Sequence, residues 1–294
     1  MLRGVEPTFP RLLGPAWRAT DPASRCDRRC DALDATTPHQ KLATARGDYW
    51  VCSVTGQMTR DAVMANLIER YDKIWEKEVE IHQPTEKDHR ECRRWLDRVA
   101  SYRKTGRLFE VGCGTGLFLT TANRAGWRAE GIELSPFAAE HARRVSGAKV
   151  LVGAMEDARL EASAYDVVLC NNVFEHLREP LSVLRKLSAA LRPGGVIFFQ
   201  TLSAQSLSLY IEPRGWLYFE QGHLFIPTLV SLRHYFELSG LEPVHFETHG
   251  FHSANAVNAA AARKKRVVFD KLMATVAARF NRGHRVKYLL RRSG

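Results

Sequence analysis

The chain has 294 residues, enough for one large domain or two small ones, and its 45% hydrophobic and 26% charged residues are ordinary for a folded globular protein. Disordered, collagenous and coiled-coil readings of the whole chain are excluded on that composition. Lys and Arg number 43 against 32 Asp and Glu, a formal charge of +11 that favours anionic partners.

The opening residues Met1–Trp17 lack the continuous apolar run of a secretory signal, and no stretch approaches the roughly 18 apolar residues of a membrane span. A cytoplasmic location is expected. Six cysteines (26, 30, 52, 92, 113 and 170) in a chain with its own core and no export signal are expected as thiols. Residues 1–60 are rich in Pro, Arg, Asp and Thr without a sustained period, and read as a loosely ordered leader. Within it, Cys26-Asp-Arg-Arg-Cys30 followed by Cys52-Ser-Val-Thr55-Gly56 resembles a zinc ribbon. A closed structural site needs four ligands, and Thr55 stands where the last thiol belongs, so a degenerate remnant is expected over bound zinc.

From Thr59 to Tyr102, Val63, Leu67, Ile74, Trp75, Val79, Trp95, Leu96 and Val99 recur at three- and four-residue steps, which predicts a helical cap over 61–105. From Arg107 short β-rich runs alternate with helical stretches, the pattern of a parallel sheet with crossover helices. Strands are predicted over 108–111, 128–132, 149–152, 167–170, 196–200 and 243–247, with helices over 116–125, 136–146, 180–191 and 228–239. The fold class is α/β, doubly wound around a mostly parallel sheet.

The first of these strands runs into Glu110-Val-Gly112-Cys-Gly114-Thr-Gly116 and then a helix, so that backbone and helix N–H groups face a ligand closely. A dinucleotide fingerprint requires glycine at 117, where the residue is Leu. The run instead resembles motif I of the class I S-adenosylmethionine-dependent methyltransferases, and an ordered series over about residues 105–250 supports the resemblance. Glu133 closes the second strand, where a carboxylate accepts hydrogen bonds from both ribose hydroxyls. Gly153-Ala-Met155-Glu156-Asp157 resembles the family's adenine loop, with Met155 against the purine face or in the core, and Glu156 at the purine edge. The strand ending at Asn171 and Asn172 resembles motif IV, and Leu191-Arg-Pro-Gly194-Gly195 the turn before strand five. The implied cofactor is S-adenosylmethionine, held by Glu110, Gly112, Gly114, Gly116, Glu133, Met155, Glu156 and Asn171.

Phe-Glu175-His176-Leu, together with Gly222-His223-Leu-Phe-Ile-Pro227, is similar to the branch containing the ubiquinone-pathway O-methyltransferases and bacterial enzymes acting on glycans or lipids. Ligands of such sheets sit beyond the carboxyl ends of the strands, which places His176 on the cofactor side as candidate base, or as a loop hydrogen-bonding residue. Some relatives bind a divalent metal through Glu-x-x-Glu-His and a later His. Here Glu175, His176 and His223 remain, but Asn172 replaces the first Glu, so no metal is expected. The connection containing Tyr210, Arg214, Trp216 and His223 is long and aromatic, which suits an acceptor lid or a hydrophobic satellite cluster.

Residues 255–294 carry 11 Lys or Arg and one acid, nearly the whole charge surplus. A basic helix over 258–281 presents Phe269, Leu272, Met273, Val276 and Phe280 on one face, behind Arg263, Lys264, Lys265 and Arg266. Packing of that face is expected over contact of 263–282 with an anionic inner membrane surface. Residues 285–291 alternate like a strand and resemble the family's last, seventh strand. The expected activity is O-methylation of a small or lipid- or glycan-linked acceptor. RNA methylation and a non-catalytic cofactor-binding scaffold are the rivals, and nucleic acid is disfavoured because no RNA-binding module accompanies the basic residues.

Overall fold

The computed structural model describes residues 39–44, 47–52, 55–60, 66–81, 83–213, 215–219, 222–251 and 260–293, with 39, 40 and 260–269 as backbone. Cys26, Cys30, Arg214 and the side chains of Arg263–Arg266 lie outside the described residues. The chain forms two compact units. One comprises 1–63, 201–235 and 246–287, and the other 64–200, 236–245 and 288–294.

The first unit begins with an antiparallel hairpin of β1 (His39–Thr44) and β2 (Gly47–Cys52), followed by β3 (Met58–Thr59). The loose leader expected over 1–60 is therefore corrected for 39–59, where Tyr49, Val51 and Met58 are buried. Between β2 and β3, Gly56 N–H donates to Cys52 O at 2.8 Å, and Thr55 N–H reaches Cys52 Sγ at 3.4 Å.

The second unit opens with α1 (Leu67–Ile81) and α2 (Glu86–Val99). Thr85 and Asp88 close a reciprocal capping box that starts α2. There follow β4 (Arg107–Val111), α3 (Leu117–Arg124), β5 (Arg128–Glu133), α4 (Pro136–Ser146), β6 (Lys149–Val152), β7 (Tyr165–Asn171), a single turn over Phe174–His176, α5 (Pro180–Ala190) and β8 (Leu191–Leu202). Ser135 caps α4 by accepting from Ala138 N–H, Pro136 occupies its first turn and Gly147 ends it, so its bounds follow from local chemistry. The turn expected at 191–195 is instead a break inside β8: Tyr165 pairs with Leu191 but Val167 with Val196.

Next come α6 (Leu207–Ile211), β9 (Phe225–Ile226), α7 (Leu229–Leu238), β10 (Leu241–His249), α8 (Ala260–Arg279) and β11 (Arg285–Arg292). In the first unit β9 pairs with β3, giving the order β1-β2-β3-β9 over a core of Tyr49, Met58, Leu209, Trp216, Phe219 and Ile226. The seven-stranded sheet has the order β10-β11-β8-β7-β4-β5-β6, with parallel ladders between β8, β7, β4, β5 and β6. Adjacent residues of β8 show that both faces of this sheet are covered, because strand side chains alternate. Phe198 packs on Trp95 from α2, with ring centroids 4.2 Å apart, while Phe199 meets Phe174, Phe236 and Tyr288.

Asp166, fully buried in β7, anchors the loop that enters β4. Its Oδ2 accepts from the N–H groups of Lys104, Thr105 and Gly106 at 2.7–2.8 Å, and its Oδ1 from Arg192. Burial alone would raise its pKa, but Arg192 and the three N–H groups outweigh burial and hold it below the usual carboxylate value.

Candidate active site

Where β4 and β5 end, the chain leaves a cavity of about 530 Å³ lined entirely by residues of the second unit. Glu110, Gly112, Gly114, Glu133, Met155, Glu156, Asn171 and His176 all line it, as the motif reading expects. Gly116 does not. It starts α3 at φ +85°, and a Cβ there would lie 2.8 Å from Ala142 Cα, so this glycine lets α3 approach α4. Gly114 has φ +50°, and a Cβ there would stand 2.8 Å from the Trp75 ring of α1.

Glu133 is buried, with Oε2 accepting from Gly114 N–H at 2.8 Å and Oε1 from Ser135 N–H at 3.0 Å. The carboxylate thus ties the glycine turn to the end of β5, and each oxygen keeps a further lone pair for a ligand hydroxyl. Burial raises its pKa, tempered by those N–H groups. Glu110 is more extreme: burial first, then the neighbouring Glu133, push its pKa well above the usual value, and its Oε2 is buried without a hydrogen-bond partner.

Met155 is buried, and Lys186 Nζ donates to its carbonyl at 2.9 Å. Glu156 accepts from Arg178 N–H at 2.8 Å through Oε1. Gln200 Nε2 donates to Asn171 Oδ1 at 2.7 Å and to Asn172 Oδ1 at 3.0 Å. The amide oxygen that takes the place of a metal-binding carboxylate is thereby engaged by Gln200.

The expected acceptor residues fall in the first unit. Tyr210 is 51% exposed, whereas Trp216 is buried, its Nε1–H donating to Ser208 Oγ at 2.9 Å and its ring against Phe219. Trp216 thus belongs to the hydrophobic cluster that is the alternative reading of this connection. His223 is buried, with Nδ1 2.7 Å from Tyr218 O.

Three residues of α1 reach the cavity region unforeseen. Tyr71 Oη lies 3.0 Å from His176 Nδ1, Asp72 Oδ1 accepts from Ser135 Oγ and from Phe137 N–H, and Trp75 covers the glycine turn. The Tyr71 and Trp75 spacing of four residues places both on one helix face and was the available signal.

The donor set tests which cofactor fits. Among the described residues, five acidic side chains, Glu78, Asp88, Glu110, Glu133 and Glu156, line the cavity and no Lys or Arg does, in a chain of charge +11. A pyrophosphate is repelled by such a lining, while a ligand bearing sulfonium and ammonium charges is matched by it, and its ammonium would satisfy the orphaned Glu110 oxygen.

Comparison with known proteins agrees. Residues 85–246 match the methyltransferase domain family. The ubiquinone biosynthesis O-methyltransferase of Bordetella avium is 32% identical over 166 residues, 51% of this chain and 67% of the relative. The enzyme of the same name from Bordetella bronchiseptica is 36% identical over 115 residues, 37% of this chain and about half (48%) of the relative. An S-adenosylmethionine-dependent methyltransferase of Archaeoglobus fulgidus shares the fold, with a TM-score of 0.53 at 15% identity over 75% of this chain and 100% of that one. With an acid-lined cavity behind a glycine turn and a family match over more than half its length, the chain belongs to the methyltransferase domain family and is a class I S-adenosylmethionine-dependent methyltransferase.

Proposed function

We propose that the enzyme methylates a hydroxyl oxygen of a small or lipid- or glycan-linked acceptor, with His176 as the base. The observation that carries this reading is the position of His176: it follows β7 at the cavity wall, with its ring directed by a hydrogen bond to Nδ1. S-adenosylmethionine supplies an electrophilic methyl group when bound. The glycine turn and Glu133 would hold it, Glu110 would neutralise its ammonium, and His176 would take the proton released by the acceptor oxygen. The names of the relatives support an oxygen acceptor.

A lipid-linked acceptor is favoured by α8. Among its described side chains Ala277 is buried, while Leu272, Val276 and, just past its end, Phe280, four residues apart, are 60%, 37% and 69% exposed beside the exposed Lys271 and Arg279. An apolar stripe flanked by cations suits an anionic membrane surface. No helix among the described residues is long and apolar enough to cross a membrane.

The test is labelled methyl transfer into a bacterial lipid extract, followed by mass spectrometry of the product. His176→Ala should lower the rate about a hundredfold at unchanged cofactor affinity. Wild-type activity is expected to survive EDTA; inactivation by EDTA and restoration by divalent ions would replace the base with a metal ligand. Label in RNA instead of lipid would replace the acceptor class.

A further inference from the structure

Among the described residues of the cavity wall, two buried side-chain atoms have no hydrogen-bond partner: Glu110 Oε2 and Trp75 Nε1. Both residues border the glycine turn. Glu110 stands two residues before Gly112, and the six-membered ring of Trp75 lies on Gly114, where a Cβ would come within 2.8 Å of it. An indole N–H can only donate, so the wall offers one unused acceptor and one unused donor beside the same turn. Helix α1 contains no buried residue, so Trp75 is not a core side chain, and Asp72 fastens the helix to the start of α4.

We propose that Trp75 recognises the carboxylate of S-adenosylmethionine, its Nε1–H donating to that carboxylate while Glu110 takes the neighbouring ammonium. The proposal deepens the proposed hold on the cofactor and rests on it. The carboxylate is the cofactor's one anionic group, and it meets a wall of five acids with no Lys or Arg among the described residues. It needs a donor there, and the turn's own N–H groups are engaged. Those of Gly112 and Cys113 donate to Ile132 O at 2.8 and 3.1 Å, that of Gly114 to Glu133 Oε2 at 2.8 Å and that of Gly116 to Cys113 O at 3.0 Å. An unused donor and an unused acceptor match the two charges that an α-amino acid carries on one carbon, and each would be costly if left incomplete. Methyl transfer leaves the carboxylate unchanged, so fresh and spent cofactor would make this contact alike.

The experiment is calorimetric binding of S-adenosylmethionine, S-adenosylhomocysteine and decarboxylated S-adenosylmethionine to the full-length protein. Trp75→Phe should weaken the first two alike, by about ten- to hundredfold, and the third far less. Trp75→3-benzothienylalanine, which keeps the bicyclic ring without the N–H, should do the same with the packing on Gly114 preserved. In nitrogen-15 spectra the Trp75 indole signal, assigned by its loss in Trp75→Phe, should shift with the first two ligands and stay with the third. Affinities unchanged or equally weakened for all three, or an indole signal indifferent to the carboxylate, overturns the proposal and leaves Trp75 a cover for the turn. A loss confined to the two sulfonium ligands would assign the ring face to that cation and overturn it as well. Failure of the underlying reading shows separately, as S-adenosylmethionine binding that Glu133→Ala leaves undiminished, and removes the proposal with it.

Discussion

Replacing Gly114 with Ala tests why the glycine turn is built as it is. Two costs are visible. An L side chain at φ +50° carries the left-handed penalty, about 1 to 2 kcal/mol. The new Cβ would also lie 2.8, 3.1 and 3.3 Å from three ring atoms of Trp75, so the indole must retreat by about 0.7 Å to reach ordinary contact. Overpacking of this kind adds about 1 to 2 kcal/mol, for a total of about 2 to 4. Urea unfolding of wild type, Gly114→Ala, Trp75→Ala and the double variant separates the two. With Trp75 removed only the backbone cost remains, so Gly114→Ala should then cost about 1 to 2 kcal/mol, leaving a coupling of about 1 to 2. Equal losses in both backgrounds would show that Trp75 is not what the glycine accommodates, and the seating of α1 on this turn would have to be abandoned.

Other outcomes follow from the same chemistry. Asp166→Ala strips Arg192 and three N–H groups of their acceptor and should lower stability by about 3 kcal/mol. Because the folded pKa of Asp166 is depressed, its contribution is present above the unfolded value, about 4, and fades as pH falls through the folded one. Acid titration of wild type and variant should therefore converge at low pH; parallel curves would contradict the assignment. Glu110, raised by burial and by Glu133, should bind the cationic cofactor as its anion, so binding releases protons and strengthens as pH rises to its free-state pKa. Calorimetry in buffers of different ionisation heat reads the release, and a heat independent of buffer counts against it. Deleting residues 284–294 removes the strand between β10 and β8 and the buried Val286, Tyr288 and Leu290, and should make the protein insoluble or markedly lower its Tm; a soluble product with unchanged Tm would make β11 dispensable. Leu272→Glu with Phe280→Glu should leave folding intact and abolish sedimentation with anionic vesicles, and wild type that never sediments at low salt ends the membrane reading.

Where local chemistry decides the structure, the sequence is enough. The caps Ser135 and Gly147 bound α4 as read, and the glycine turn, Glu133 and Met155 come together because each follows a neighbouring parallel strand. Contacts distant in sequence were not legible. Strands β1–β3 hide in a Pro- and Thr-rich stretch because β3 is two residues long and finds its partner at Phe225 and Ile226. The aromatic run around Trp216 suggests a hydrophobic cluster, but nothing nearby reveals that its partners are Tyr49, Met58 and Ile226. The stripe Leu272, Val276 and Phe280 reads as a packing face, yet among the described side chains all three are exposed and Ala277 is buried. Tyr71 meets His176 across 105 positions, a pairing that helix periodicity cannot announce.

The charge of the cavity wall bears on the end of the catalytic cycle. Methyl donation turns a sulfonium into an uncharged thioether, so the carboxylates that hold the donor lose part of their attraction when the reaction is complete. Spent cofactor is then expected to leave more readily than fresh cofactor, with product inhibition eased by the same side chains that would recruit the donor. Salt should narrow this difference only in part: it screens the partly exposed Glu78 and Asp88, while Glu110 and Glu133 act from buried positions that ions do not reach.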